Sequence, residues 1–360
     1  MLTCQVLTSE QEVEALAQAW RALQERLGKA PFTGYDWAMA WWRTIGKPSG
    51  AALMVVAGFE ETGRLVGLLP FSIRRKHGVR VLRLMGHEVY YYRNFLIESE
   101  SDVPLMWQTA LKQTCYDFAD IKNIHEATPE KAFLDCFAIF LEKSHVYHQE
   151  HKGEDRQKIL GRYSKGFRHK IRRITKYIEE KQGALEVFRT QNNPPVEVID
   201  FLIQRKKMWV KEKGKRGIFH DDNVSSFYHE MVRVVEQNKA LSLFWMVYQG
   251  EIVAALFSVV GGNVVYGHTL TIDYSAAHFM PGLFLNVEAI VWGSEHGYAE
   301  FNMMEGEEPH KARLAFQNRT IFEYVYTRTI MGKAYLCLYQ LLRALRAIKQ
   351  KKLNRVQAKD

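Results

Sequence analysis

Residues 274–286 read YSAAHFMPGLFLN, and the Pro281-Gly282 pair in this stretch lies where a β-rich run gives way to a helical one. The run 264–272 before it predicts a strand, and the apolar run 283–296 after it predicts a helix. A helix start offers unpaired N–H groups and a positive dipole end, which together bind anions. Proline wastes no donor there, and glycine lets an anion approach the backbone. The stretch favours a phosphate-binding helix start; a plain strand-to-helix turn is the alternative.

The elements around this stretch repeat an order found earlier in the chain. Each copy consists of two helices, a three-strand antiparallel meander, a helix and a further strand. The first copy has helices at 9–27 and 35–45, strands at 53–59, 65–73 and 79–84, a helix at 102–119 and a strand at 120–127. The second has helices at 195–209 and 224–237, strands at 243–248, 252–259 and 264–272, a helix at 283–296 and a strand at 299–304. The repeat predicts an α/β fold of two related domains, each a mixed, mostly antiparallel sheet flanked by helices.

Two basic amphipathic segments divide the chain further. Nine Lys or Arg and no acid fall between Arg156 and Lys176, with an apolar stripe at helical spacing. The C-terminal segment 334–360 is also basic and amphipathic, with seven Lys or Arg and one acid. We therefore expect an N-terminal domain at 1–150, a basic connecting helix at 151–183, a C-terminal domain at 184–333 that binds the donor, and a basic amphipathic helix at 334–360.

Composition indicates a globular protein without a disulfide framework. The 360 residues exceed what one core usually supports, and 47% of them are hydrophobic. The four cysteines lack C-x-x-C spacing, which indicates reduced thiols. A net charge of +9 favours anionic ligands, nucleic acid or an acidic membrane face. The N-terminus has no signal-peptide pattern and no run reaches membrane-span length, so we expect a cytoplasmic protein.

The stretch 274–316 resembles a known family. The order of strands, loop and helix is similar to that of the GNAT acyltransferases, although HFMPG replaces their Gly-rich loop. More specifically, the stretch resembles the bacterial acetyltransferase family associated with cellulose biosynthesis (CelD/BcsL-like), which is related to the Fem-type peptidyltransferases. The matching residues are Tyr274, Pro281, Gly282, Gly297, Phe301, Gly306, Glu308 and Lys311.

The resemblance implies two GNAT-like domains and an acyl-CoA donor, foremost acetyl-CoA, with no metal. It implies that the donor lies along strand 264–272 and the helix start that follows. The donor-binding candidates are Leu270, Thr271, Ile272, Met280, Pro281, Gly282 and Leu283.

Direct attack of an amine or hydroxyl on a thioester requires a base and a group that polarises the carbonyl. His268 lies on the same side of its strand as Leu270 and is a candidate base, with a packed core histidine as the alternative. Asp273 is a further candidate, for which a capping role is favoured. Glu305 follows the last strand. For Lys311 the resemblance implies contact with a phosphate or the carbonyl; a solvated lysine is the alternative.

The acceptor candidates are spread along the chain. Basic side chains of the connecting helix suit phosphates, and aromatic rings suit sugar faces, although a solvated helix face and core packing are the alternatives. These candidates are Arg168, Arg172, Trp37, Trp41, Tyr91, Trp209, His310 and Arg313. The histidines of HVYHQEH, 145–151, are not spaced to converge on a metal.

The sequence thus predicts an acyl-CoA-dependent N- or O-acyltransferase that acts on a sugar, a polysaccharide precursor or another amine or hydroxyl acceptor. Two alternatives stay open. One is a Fem-like transferase that uses aminoacyl-tRNA, which the basic charge favours. The other is a non-catalytic scaffold that contacts the inner face of the membrane through its C-terminal helix.

Overall fold

The structure is a computed structural model that describes residues 2–89, 95–180, 184–212, 214, 218–306 and 309–357. The helices are α1 (Glu10–Ala15), α2 (Ala17–Arg26), α3 (Tyr35–Trp41), α4 (Val103–Lys112), α5 (Pro129–Phe137), α6 (Arg156–Gly161), α7 (Lys165–Glu180), α8 (Val196–Glu212), α9 (Val224–Gln237), α10 (Pro281–Glu295), α11 (Pro309–Leu314) and α12 (Ile330–Gln357). The strands are β1 (Thr3–Leu7), β2 (Ala52–Phe59), β3 (Leu65–Lys76), β4 (Val79–Leu84), β5 (Leu96–Ile97), β6 (Phe118–His125), β7 (Ile139–Glu150), β8 (Leu185–Thr190), β9 (Leu241–Tyr248), β10 (Glu251–Gly261), β11 (Val264–Ile272), β12 (Glu300–Glu305) and β13 (Gln317–Thr327).

The strands of the described residues form one 13-stranded sheet, in the order β1-β2-β3-β4-β6-β13-β7-β12-β11-β10-β9-β8, with β5 paired to β3. The predicted repeat is visible in it. Strands β2, β3 and β4 form an antiparallel meander, helix α4 follows, and β6 returns parallel to β4. Strands β9, β10 and β11, helix α10 and strand β12 repeat this arrangement. We call the two copies the first unit (β1–β4, β6) and the second unit (β8–β12).

The units exchange strands at the centre of the sheet. Strand β7, which follows the first unit in sequence, pairs with β12 of the second unit. Strand β13, which follows the second unit, pairs with β6 of the first unit, and β7 and β13 pair with each other. Each unit is therefore completed by a strand that follows the other unit in the sequence.

A core of large side chains joins the two units. Trp20, Trp37, Trp41 and Phe227 are each fully buried. The ring of Trp37 on α3 meets that of Phe227 on α9 edge to face, with centroids 6.0 Å apart. Helix α3 is apolar on almost every side because it lies between the first unit and a helix of the second.

Several boundaries differ from those predicted. The helix expected at 102–119 ends at Lys112, and β6 begins at Phe118. The basic segment forms two helices, α6 and α7, and the C-terminal helix begins at Ile330. The sequence analysis did not predict β1, β7, β8, β13 or α5. The domain boundaries proposed from the sequence stay a prediction. Among the described residues, no helix combines the length and the apolar character needed to cross a membrane.

Candidate functional site

The site is built around a gap in the second unit. Strands β11 and β12 run parallel and pair at only three positions, from Val264↔Glu300 to Tyr266↔Asn302. Beyond Tyr266, β11 continues to Ile272 along β10, while β12 separates from β11 and stays paired with β7 on its other edge. Alternate N–H and C=O groups of residues 267–272 therefore face the gap instead of a strand. Ligands of α/β sheets bind at such a place, outside the carboxyl ends of parallel strands.

Helix α10 begins shortly after the carboxyl end of β11, on the side of the sheet where the gap opens. Met280 precedes the helix in the left-handed conformation, with φ 49° and ψ 50°. Its carbonyl oxygen accepts the N–H groups of Leu283 and Phe284. The N–H of Gly282 has no acceptor among the described residues, and no side chain caps the helix. An unsatisfied N–H at the positive end of a 15-residue helix is suited to an anion.

Gly282 also has a packing role that the sequence did not suggest. A Cβ placed on it would lie 3.1 Å from Leu270 Cδ2 and 3.1 Å from Ile272 Cγ2. The glycine thus lets the first turn of α10 lie directly on β11. The structure brings Leu270, Ile272 and Gly282 together at the gap, whereas the side chain of Thr271 is buried. Pro281 is also buried, and Leu283 packs partly against the core.

His268 is a buried histidine held on both sides of its ring. Its Nδ1 lies 2.8 Å from Thr269 Oγ1, and its Nε2 lies 3.1 Å from the backbone oxygen of Val89. Burial lowers the pKa of His268 to about 4, so the imidazole is neutral at neutral pH. The residue belongs to the core between the units, because its ring also contacts those of Phe32, Trp37, Tyr228 and Phe257.

The hydrogen bonds define the tautomer. A carbonyl oxygen can only accept, so Nε2 of the neutral ring carries the hydrogen and donates to Val89. Nδ1 must then accept from Thr269 Oγ1, which in turn accepts from the hydroxyl of Tyr228 at 2.9 Å. The lone pair that a general base needs is therefore occupied. The prediction that His268 is the base is not supported by this arrangement, which matches the alternative of a packed core histidine.

Asp273 caps the turn after β11. Its carboxylate accepts the N–H of Ser275 at 2.9 Å and pairs with Arg205 of α8. The first contact fixes the turn that follows β11, and the second links the end of β11 to helix α8. The structure thus favours the capping role over the catalytic one.

Glu305 lies at the end of β12, on the far side of the gap. Its carboxylate accepts a hydrogen bond from Ser144 Oγ of β7 at 2.7 Å. Burial raises the pKa of Glu305, Ser144 opposes the shift, and the nearby Glu323 carboxylate adds to it. The ammonium group of Lys311 donates to the backbone oxygen of Glu305. Glu305 and Lys311 are therefore brought together at the carboxyl end of β12.

A row of paired charges continues from Glu305 across the exchanged strands. Lys122 of β6 lies 3.0 Å from Glu323 of β13, and Arg343 of α12 contacts both Glu323 and Glu142 of β7. At the far end, Arg83 pairs with the buried Asp120 at 2.7 Å. Sequence reasoning missed this row and Ser144, because the strands that carry them were not predicted or not known to be adjacent.

The basic acceptor candidates lie apart from one another. Arg168 donates to the backbone oxygen of Gly161 at 3.1 Å and so caps α6. Arg172 is exposed on α7, and Arg313 is exposed on α11. His310 belongs to α11, but its side chain lies outside the described part of the structure, as do Glu308 and Tyr91.

The predicted aromatic groove is wrong for Trp37 and Trp41. Their rings are 1% and 0% exposed because α3 is enclosed by both units, so they present no face to a sugar. Trp41 instead donates its indole N–H to Glu88 at 3.1 Å. Trp209 is half-buried on α8, with Lys206 Nζ 4.6 Å from its ring centroid. Within the described ranges, no three His, Cys, Asp or Glu side chains are grouped to hold a metal ion.

Comparison with known proteins identifies the class. Residues 165–312 match the sequence model of the acetyltransferase (GNAT) domain. This range contains β11, the gap, the start of α10 and Glu305. The chain therefore carries a GNAT acetyltransferase domain, and the class of enzyme that this domain defines is the acyltransferases. No curated protein sequence matches the chain.

Solved structures show the same architecture over nearly the whole chain. The crystal structure of FemX aligns with a TM-score of 0.61 at 10% identity, covering 94% of this chain and 99% of that one. L-PGS from Bacillus licheniformis aligns with a TM-score of 0.53 at 16% identity, covering 91% and 96%. A C-terminal domain assigned to a lysylphosphatidylglycerol synthetase of Agrobacterium fabrum gives 0.52 at 14%, covering 90% and 96%. At these identities the similarity shows the fold alone.

Proposed function

We propose that the chain is an acyl-CoA-dependent N- or O-acyltransferase whose donor binds in the gap between β11 and β12. The observation that carries the proposal is the separation of these parallel strands beyond Tyr266, beside a helix start with an unsatisfied N–H. Both features lie within the residues that match the acetyltransferase domain. Acetyl-CoA is the first donor to test.

The gap suits the three parts of an acyl-CoA. The N–H of Gly282 and the positive end of α10 suit the pyrophosphate. The unpaired edge of residues 267–272 supplies N–H and C=O groups that suit the amides of the pantetheine arm. A backbone N–H of the same edge can polarise the thioester carbonyl and stabilise the oxyanion that forms there.

Glu305 is the group best placed to act as the base. In the reaction the acceptor amine or hydroxyl attacks the thioester carbon, its proton passes to a base, and the thiolate leaves and is protonated. A carboxylate whose pKa is raised by burial is a stronger base than an exposed one. Lys311, held at the backbone oxygen of Glu305, would supply a positive charge on the β12 side of the gap to stabilise the developing oxyanion.

For the acceptor we propose a sugar, a polysaccharide precursor or another amine or hydroxyl compound bound at the carboxyl end of β12. The support comes from the sequence resemblance and from exposed Arg313 on α11, the helix that also carries Lys311. An anionic acceptor such as a sugar nucleotide would match these cations.

A transferase that uses aminoacyl-tRNA is a second candidate. The observation in its favour is the exposed face of α7, which presents Lys165, Lys170, Arg172 and Arg173. Four exposed cations within nine residues of one helix suit a phosphate backbone. The fold similarity to FemX is compatible with this candidate but does not distinguish it from the first.

Two variants at one position test the donor site. Asn and Asp both tolerate the left-handed conformation of Met280 and both favour helix starts, so Met280→Asn and Met280→Asp should fold alike. Only Asp places a negative charge where the pyrophosphate would bind. Calorimetric titration with acetyl-CoA, longer acyl-CoAs and CoA should show at least about tenfold weaker binding for Met280→Asp than for Met280→Asn, less so at high salt.

Equal affinity of the two variants would show that the donor does not bind at the start of α10. No binding of any acyl-CoA by the unchanged protein would reject the first candidate. Salt-sensitive binding of charged tRNA, with transfer of its aminoacyl group, would then establish the second.

A further inference from the structure

Helix α12 presents a row of apolar side chains to solvent. Met331, Leu338, Leu341 and Leu345 are 51%, 42%, 56% and 53% exposed. They are spaced three, four or seven residues apart and so lie along one side of the helix. Leu342, 36% exposed, borders the same side. Single exposed leucines are common on proteins, but a row of this kind along one helix usually marks a binding surface.

The side of α12 that faces the sheet is fixed by contacts that begin next to the row, so the row cannot turn inward. Tyr335 is buried against Phe118 of β6, with ring centroids 5.1 Å apart. Gly332 lies so close to Asp117 that a Cβ would clash with its backbone oxygen. Arg343 is held by Glu142 and Glu323. These contacts hold α12 in one rotational setting with the apolar row outward.

The charge of α12 is of one sign. The segment Ile330–Gln357 contains seven Lys or Arg and no Asp or Glu. Of these, Arg343 is neutralised by the two glutamates of the sheet. Lys333 is exposed near the start of the helix, and the others follow Leu345 in the sequence.

We propose that this face of α12 docks on an anionic phospholipid surface, with the helix axis parallel to that surface. The apolar row would enter the boundary between headgroups and acyl chains, and the cations would contact the phosphates. A second copy of the chain fits the surface less well, because two such helices side by side would bring like charges together without any acid to pair them. The inference does not depend on the proposed reaction.

Vesicle sedimentation of the full chain tests the proposal. The vesicles are phosphatidylcholine alone, or phosphatidylcholine mixed equally with phosphatidylglycerol. We expect at least about tenfold stronger binding to the mixed vesicles, reduced by added salt. The variant Leu341→Gln/Leu345→Gln should weaken that binding at least about tenfold, because it removes two side chains that would enter the membrane.

The matched control is Leu105→Gln/Met208→Gln, which replaces two comparably exposed apolar side chains on helices α4 and α8. It should bind vesicles as the unchanged protein does. The proposal is overturned by equal binding to both vesicle types, or by equal losses in the two variants with unchanged helix content. It is also overturned if light scattering shows a dimer that Leu341→Gln/Leu345→Gln converts to a monomer, since the row would then bind a second copy.

Discussion

The Nε2 atom of His268 lies 3.1 Å from the backbone oxygen of Val89 and donates a hydrogen bond to it. His268 belongs to β11 of the second unit, whereas Val89 belongs to the loop after β4 of the first. The bond therefore links the strand that borders the proposed donor site to the other unit. The bond requires a hydrogen on Nε2, which the neutral ring has in the tautomer described above.

The burial of His268 predicts acid sensitivity, although the hydrogen bond to Val89 partly opposes it. The pKa of His268 is lowered to about 4 by burial, against 6.5 without burial, so between these values the unfolded chain binds the proton and the folded chain does not. Stability is therefore lost as the pH falls from about 6.5 to about 4, by on the order of 3 kcal/mol. His268→Gln cannot gain this charge and should flatten the pH dependence of urea unfolding. His169→Gln, at an exposed position on α7, should leave it unchanged.

Glu305 and Ser144 give a kinetic prediction. If Glu305 is the base, Glu305→Gln should lower kcat by about a hundredfold or more with little change in KM for the donor. Ser144→Ala removes the hydrogen bond that favours the charged carboxylate, so it should raise the pKa of Glu305 further. The acidic limb of the pH–rate profile should then move to higher pH.

Ser144→Thr keeps the hydroxyl and serves as the control for this shift. If the acidic limb of the pH–rate profile does not move in Ser144→Ala, Glu305 is not the base. A stability change alone would not reproduce a displaced limb.

Asp273→Asn separates capping from catalysis. The variant keeps an oxygen for the N–H of Ser275 and loses the charge opposite Arg205. This pair is partly exposed, so we expect a loss of stability of no more than about 1 kcal/mol. Turnover should fall less than about threefold, whereas loss of a general base would lower it by about a hundredfold. Thermal unfolding and steady-state rates decide between the two.

Gly282→Ala tests the close packing of α10 on β11. The added methyl group would lie 3.1 Å from both Leu270 and Ile272, so one of these side chains must move. We expect a loss of about 1 kcal/mol in unfolding free energy, even though alanine favours helices. Gly297→Ala is an unsuitable control because Gly297 has a positive φ of 81°; Gly166→Ala, in open space on α7, should be stabilising or neutral. Equal effects of Gly282→Ala and Gly166→Ala would contradict the packing role.

Much of the fold could be predicted from the sequence, because strand alternation and helical periodicity are local signals. Strands β4 and β11 and helix α9 lie where alternation and helical periodicity place them. Strand β7 was missed because its side chains are mostly polar and partly exposed. Strand β13 was missed for a related reason, since its first residues are polar and its partners β6 and β7 are far away in the sequence.

The site was predicted less completely because its contacts are not local. The Pro-Gly helix start was recognisable, but the contact of Gly282 with Leu270 and Ile272 depends on the packing of α10. The role of His268 depends on a carbonyl oxygen almost two hundred positions earlier. A tryptophan in an aromatic-rich segment is typical of sugar-binding surfaces. Only the position of α9 shows that Trp37 is enclosed.

The exchange of β7 and β13 has a consequence for biosynthesis. The ribosome releases β6 and β7 early, but the slot between them is filled by β13, which ends at Thr327. Until that strand emerges, the nascent chain exposes strand edges on both sides of the slot, and such edges invite pairing with other chains. The order of translation thus leaves the centre of the sheet open until nearly the whole protein has been made, a period in which a chaperone that covers strand edges would have its greatest effect.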